Sequence, residues 1–296
     1  MITSTKKEIE KVTYDILKQS KCFDVFPTPV DKIVEFSELY VDTHNGIHSI
    51  PNHYISKNID VLKKALRKVY GALDRRKKII YIEPELKIYK RNFIKLHEVG
   101  HEVLPWQKKT YEFIDDEQTV QPETEIEYER EANFFASATL FQLDRFEEFI
   151  SSLPLELKTT MFLAKKFGSS VHAAMRRYAE NSNKRCALLV LDRVLNTNCE
   201  LKQRNYFQSA YFTRDFGNLD FPTILNIEWP FVQDFVLGKK FHDNGLITII
   251  TNDGDIDFEY HFFNNTYNVF VFIIPLGEKN KTRTKIYLKG HDDFPV

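Results

Sequence analysis

The feature that most restricts the fold is a change of pattern at Asn181-Ser182-Asn183-Lys184. Before it, apolar residues recur at helical spacing. After it, short apolar and aromatic runs alternate with turn residues, the signature of strands. Helices are expected over 7–20 (Ile9, Val12, Ile16 and Leu17 share a face), Val30 to Leu39, Leu62 to Leu73, Lys90 to Val103, Glu123 to about Ile150, 156–167 and 169–180. Pro105 and Pro154 supply the breaks. Lys78 to Ile82 reads as a short strand ended by Pro84, while 42–55 and 106–122 read as loop and polar connection. Beyond residue 183, strands are expected at Ala187 to Leu191, Leu246 to Thr251, Ile256 to Phe263, Tyr267 to Ile274 and Thr284 to Leu288. Asn252-Asp253-Gly254-Asp255 and Asn264-Asn265 read as hairpin turns. The fold class is therefore α+β. Residues 1–183 form a mostly helical domain with a small sheet, and 184–296 form a β-rich domain.

Composition narrows the function classes. Forty-one basic and forty-two acidic residues leave a formal charge of −1, so there is no bulk electrostatic reason to bind nucleic acid or an anionic membrane. The three cysteines, Cys22, Cys186 and Cys199, are scattered, which fits a reducing compartment better than a disulfide framework. The polar N-terminus lacks a signal-peptide core, and the longest apolar run, Val269 to Leu276, is too short to span a bilayer. A cytoplasmic protein with no membrane partner is expected.

The chemistry sits in His97-Glu98-Val99-Gly100-His101, an HExxH pattern inside an expected helix. Four helical residues advance about 6 Å and return to nearly the same face, so two imidazoles at that spacing can reach one zinc ion. Glu98 can then approach water at the metal without being a ligand. A catalytic site needs a third protein ligand and an open position. The downstream helix offers Glu123, Glu125, Glu127, Glu129 and Glu131, most of which must be solvated. Small residues in Ala132-Asn133-Phe134-Phe135-Ala136 would allow a close helix approach. Glu129 and Asn133 share a face, making Glu129 a ligand candidate with Glu125 as its rival, and Asn133 a candidate to orient a histidine.

HExxH followed by Glu129-Arg130-Glu131-Ala132-Asn133-Phe134-Phe135-Ala136 resembles the ImmA/IrrE family of zinc metallo-endopeptidases. The stretches His97 to Gln107 and Phe167 to Tyr178, the Lys77 to Ile82 strand and the Phe26-to-Val30 entry fit the same layout, over roughly residues 10–180. The resemblance implies a gluzincin-like site holding one Zn²⁺, with His97, His101 and Glu129 as ligands and Glu98 as catalytic acid/base. Leu140-Phe141-Gln142 stands where the family usually has Leu-Met-Pro, which bears on substrate preference rather than chemistry. The β-rich tail matches no pattern of the family.

Other residues have a functional and a plainer reading. His172 could donate to an oxyanion or could pack against its helix neighbours; Tyr111 could reach an oxyanion from the connecting loop. Arg177 fits substrate recognition or an ion pair. Trp106 reads as a packing anchor rather than a wall of a substrate pocket. His44, His48 and His53 lack the companions of a second metal site, and Lys165, Lys166, Arg176 and Arg177 read as a solvated basic face.

The resulting expectation is an endopeptidase making limited cuts in a protein partner. By resemblance, that partner is a helix-turn-helix repressor or antitoxin, and cleavage switches on a stress, mobile-element or defence response. Two alternatives are a proteolytic toxin of a toxin–antitoxin or anti-phage system and a non-enzymatic, zinc-stabilised regulatory binding module.

Overall fold

The computed structural model describes residues 3–42, 71–113, 121–194, 199–251 and 254–278. The fold is α+β. It divides into two compact units, Met1–Ser151 with Thr160–Met175, and Ser152–Thr159 with Arg176–Val296.

The first unit opens with α1 (Thr3–Gln19), α2 (Val30–Phe36) and β1 (Tyr40–Asp42). After residues 43–70, outside the described part, come β2 (Gly71–Asp74) and β3 (Ile79–Ile82). Leu62 to Leu73 was expected as one helix, and its end is instead strand. Asp74 Oδ1 accepts from the Lys77 backbone N–H at 3.0 Å and Lys78 takes φ 59°, closing a tight hairpin that local apolar spacing does not reveal. β3 is central, antiparallel to β2 and parallel to β1. His44, His48 and His53 lie outside the described residues.

Next come α3 (Ile88–Val103), α4 (Pro105–Phe113) and α5 (Pro122–Leu140). Pro105 ends α3 as expected but also opens α4, so residues 106–113 are helical rather than a polar connection. A proline suits the first turn of a helix because its missing N–H would have no partner there. α3 packs chiefly on α5, with Leu96 and Val99 fully buried against Phe135 and Ala136 in a core that also contains Ile9, Ile33, Ile80 and Ile82.

The single long helix expected to reach Ile150 is two, α5 and α6 (Arg145–Ser152), separated where Gln142 and Leu143 both adopt positive φ. A tertiary tether holds this break. Fully buried Gln142 accepts from the Asp24 N–H at 2.7 Å and donates to the Val25 carbonyl at 2.7 Å and to Thr28 Oγ1 at 3.1 Å. Gln142→Ala will cost about 2–4 kcal/mol, because it strands buried polar groups. A urea midpoint lowered at constant m-value is the expected reading; an unchanged midpoint would show the tether to be dispensable.

The chain continues through α7 (Leu157–Phe167) and α8 (Val171–Asn181), and the division between units passes through both. The second unit then adds β4 (Ala187–Arg193), β5 (Leu201–Gln208), α9 (Ala210–Phe216), β6 (Ile224–Leu225), α10 (Pro230–Val236), β7 (Phe241–Thr251), β8 (Gly254–Asn264) and β9 (Asn268–Pro275). They form one antiparallel sheet in the order β6-β5-β4-β9-β8-β7. Leu189, Leu191, Phe258, Tyr260, Phe262, Val271 and Ile273 fill its core, with Phe212 and Phe231 from α9 and α10. The one described buried carboxylate of this core, Asp234, accepts from Tyr260 and His242 and pairs with Lys239. The expected strand Thr284 to Leu288 lies outside the described residues. No helix among the described residues is long and apolar enough to cross a membrane.

Candidate active site

The HExxH segment lies in the C-terminal half of α3, where nearly every side chain is enclosed. Lys95, Leu96, Glu98, Val99, Gly100, His101 and Glu102 are all buried. Two of the buried charges are neutralised by ion pairs. Lys95 pairs with Asp31, and Glu102 with Lys78 at 2.6 Å and Lys108 at 3.1 Å. Glu98 is 6% exposed and forms no ion pair among the described residues. Burial pushes its carboxyl above the usual carboxylate range, against the attraction of His101 and His97. A buried carboxylate without a salt bridge lowers stability, and such groups concentrate at functional sites.

α5 brings the third group. Gly100 permits the approach: a β-carbon there would lie 3.0 Å from Phe135 Cδ1 and 3.3 Å from the Ala132 Cα. The small residues at 100 and 132 thus let two helices meet almost backbone to backbone. Gly100→Leu will wedge them apart, costing about 1–3 kcal/mol by overpacking, and will weaken metal binding in the same protein. Titrating both properties is the check, and a folded variant with unaltered metal affinity would contradict it.

In that geometry His97 Nε2 and His101 Nε2 are 3.1 Å apart. The Glu129 carboxylate straddles them, with Oε2 at 3.2 Å from His97 and Oε1 at 3.2 Å from His101. Ligand atoms on a tetrahedral zinc with bonds of 2.0–2.1 Å are about 3.3 Å apart. The two imidazoles and the carboxylate therefore have both the chemistry and the spacing to hold such an ion from one side. Among the described residues these three are the group whose ligand atoms converge, all within 4.8 Å. Desolvation alone would raise the Glu129 carboxyl, but the adjoining imidazoles of His101 and His97 hold it well below the usual range. Burial would lower His97, yet hydrogen bonding to Glu129 and the charges of Glu98 and Glu129 raise it.

The remaining candidates separate clearly. Asn133 donates to the Glu129 carbonyl at 2.8 Å, and its side chain makes a small contribution to raising His97. Glu125 is exposed and outside the converging group. His172 is half-buried on α8 and is also outside it, while Arg177 falls in the second unit. Tyr111 lies in the last turn of α4, not in a loop, and its side chain is outside the described part. Lys166 rests over the Phe149 ring at 4.1 Å and Arg176 bonds Glu180, so part of the expected basic face has local partners.

The structure adds two residues that spacing did not single out. Gln107 is fully buried, with Oε1 2.8 Å from His101 Nδ1. Glu131, one of five glutamates of which most are expected to be solvated, is 5% exposed and accepts from Gln107 and from the Trp106 indole, each at 2.7 Å. Trp106 is therefore a polar strut as well as a packing residue. The only signal in the sequence was a glutamine six residues beyond the second histidine of HExxH.

The sequence pattern of the IrrE N-terminal-like domain matches residues 56–178. A solved structure described as a Mycobacterium tuberculosis transcriptional regulator shares the fold, with a TM-score of 0.50 and 12% identity over 96% of this chain and 81% of that one. No curated protein sequence matches. Residues 56–178, which contain the converging His97, His101 and Glu129, are thus an IrrE N-terminal-like domain, in line with the resemblance to the ImmA/IrrE family.

Proposed function

We propose that this protein is a zinc-dependent endopeptidase that makes limited cuts in a protein partner. The observation that carries the reading is a buried Glu98, without an ion pair among the described residues, on the same helix turn as two imidazoles that converge with Glu129. A purely structural metal site has no use for an acidic residue held there at the expense of stability. In this reading His97, His101 and Glu129 hold the ion and Asn133 orients His97. Tyr111 and His172 are the candidate donors to the developing oxyanion; Arg177 stays outside the assignment.

A zinc ion bound by these three residues supplies Lewis acidity and lowers the pKa of a water from 15.7 towards about 7. Glu98 does the proton work. As a carboxylate, it takes a proton from the water that attacks the peptide carbonyl. It then delivers that proton to the departing amine nitrogen, ending the cycle ready to repeat it. Its burial keeps bulk water from competing for the proton, and its raised basicity moves it towards the neutral range where such transfers run best.

By family resemblance the substrate is a helix-turn-helix repressor or antitoxin, and the cut releases a stress, mobile-element or defence response. We assign cleavage to residues 1–183 and partner binding or regulation to residues 184–296. The similar Mycobacterium tuberculosis structure, described as a transcriptional regulator, fits this reading at the level of fold. The test is a comparison of new protein N-termini in cells expressing the native chain or Glu98→Gln. A small set of cuts seen only with the native chain identifies enzyme and substrate together. No difference, with zinc bound and an inducing stress applied, overturns the proposal.

A further inference from the structure

We propose that Gln107 is a positioning residue that fixes the tautomer of His101, so that the Nε2 lone pair faces the metal position. The inference rests on the metal-site reading above, but it concerns a proton that is present with or without the ion.

The Gln107 side chain is fully enclosed, so water cannot satisfy it. Its Nε2 donates to Glu131 Oε2 at 2.7 Å and to the Tyr128 carbonyl at 3.2 Å. A carboxylate and a carbonyl only accept, so both amide hydrogens are committed and a flipped amide would set oxygen against oxygen. Oε1 must therefore face His101 Nδ1, 2.8 Å away. An amide oxygen cannot donate, so Nδ1 carries the hydrogen. In the neutral ring the other nitrogen is then a bare acceptor, and it is this Nε2 that lies 3.1 Å from His97 Nε2 and 3.2 Å from Glu129.

The anchor of the chain is equally committed. Glu131 Oε2 also receives the Trp106 indole N–H at 2.7 Å. Glu129 and Glu131 stand two apart on α5, so they point to opposite sides of the helix. One helix thus offers a carboxylate to the metal position directly and a second carboxylate that acts through Gln107 and His101. Partners of this kind raise ligand basicity and remove the entropy of ring rotation, and losing one costs roughly 10–100-fold in metal affinity or activity.

The test uses the full-length protein in three forms: native, Gln107→Met, and the paired exchange Gln107→Glu with Glu131→Gln, which restores an acceptor for His101. Long-range ¹⁵N–¹H NMR of the metal-free protein at about pH 8, above the ordinary histidine pKa of about 6.5, reads the tautomer. Comparison with His101→Gln assigns the ring. The native chain is expected to show hydrogen on His101 Nδ1. Gln107→Met should shift the ring towards hydrogen on Nε2 and lower zinc affinity about 10–100-fold in chelator competition. The exchange should recover both. A native His101 with its hydrogen on Nε2 overturns the proposal whatever zinc does, as does a Gln107→Met protein unchanged in both readings. If Gln107→Met does not fold, the native spectrum and the exchange decide. A native chain with hydrogen on Nδ1 that fails to bind zinc supports this inference and sinks the metal-site reading instead.

Discussion

Glu98→Gln is expected to lower kcat for substrate cleavage by about 10²- to 10⁴-fold, the usual contribution of a positioned acid/base. Zinc affinity should change little, because glutamine keeps the shape and the ligands are elsewhere. The same substitution should stabilise the metal-free protein at neutral pH. Burial raises the Glu98 carboxyl above its unfolded value, so the folded state holds its proton more tightly than the unfolded state does. A group raised in this way favours folding least at high pH. Its penalty is fully present above the folded pKa and vanishes below the unfolded value of about 4.3. The stability gap between variant and native chain should therefore be widest at neutral pH and close on acidification. Urea unfolding in chelator at neutral and acidic pH, beside kcat and zinc titration, checks all three expectations. Near-native cleavage by the variant would remove Glu98 from the mechanism. A variant less stable at neutral pH would show that its burial carries no penalty.

The chemistry of the site was readable because it is local: the spacing of His97 and His101 depends only on a helix being a helix. The third member of the converging group was not equally readable. Glu125 and Glu129 stand one turn apart on the same face, so choosing between them requires knowing at which level α5 crosses α3, and that is set by Gly100 against Ala132 and Phe135, a tertiary fit. The role of Gln107 was hidden by reading Pro105 as a stop instead of the first residue of α4. Likewise the break at Gln142 and Leu143 comes from hydrogen bonds to residues over a hundred positions away, beyond any local window. In the second unit β4, β8 and β9 declared themselves by their apolar runs. β5, Leu201-Lys202-Gln203-Arg204-Asn205-Tyr206-Phe207-Gln208, did not, because only Leu201 in it is buried and its pairing with β4 makes it a strand.

Glu129→Ala should weaken zinc binding by more than the roughly 10–100-fold lost when an outer partner is removed, since in the proposed site it deletes one of three protein ligands and the only anionic one among them. Glu125→Ala, exposed on the same helix, should leave affinity unchanged. Equal losses in the two variants would mean that the helix contributes only its overall charge, and a loss confined to Glu125→Ala would make the rival the ligand. The metal-free protein provides an independent check with a distinct pH signature. Glu129 is depressed by its histidine partners, so its contribution to stability is present above the unfolded carboxylate value and is lost as pH falls through the folded one. His97 is raised, so its contribution is present below the unfolded histidine value and is lost as pH rises through the folded one. The destabilisation caused by Glu129→Ala without metal should thus peak at mildly acidic pH and shrink on both sides. Zinc and proton compete for the same imidazole lone pair, so saturating zinc should abolish the alkaline decline in the native chain. A decline that persists in zinc would mean that the ion is bound somewhere other than His97.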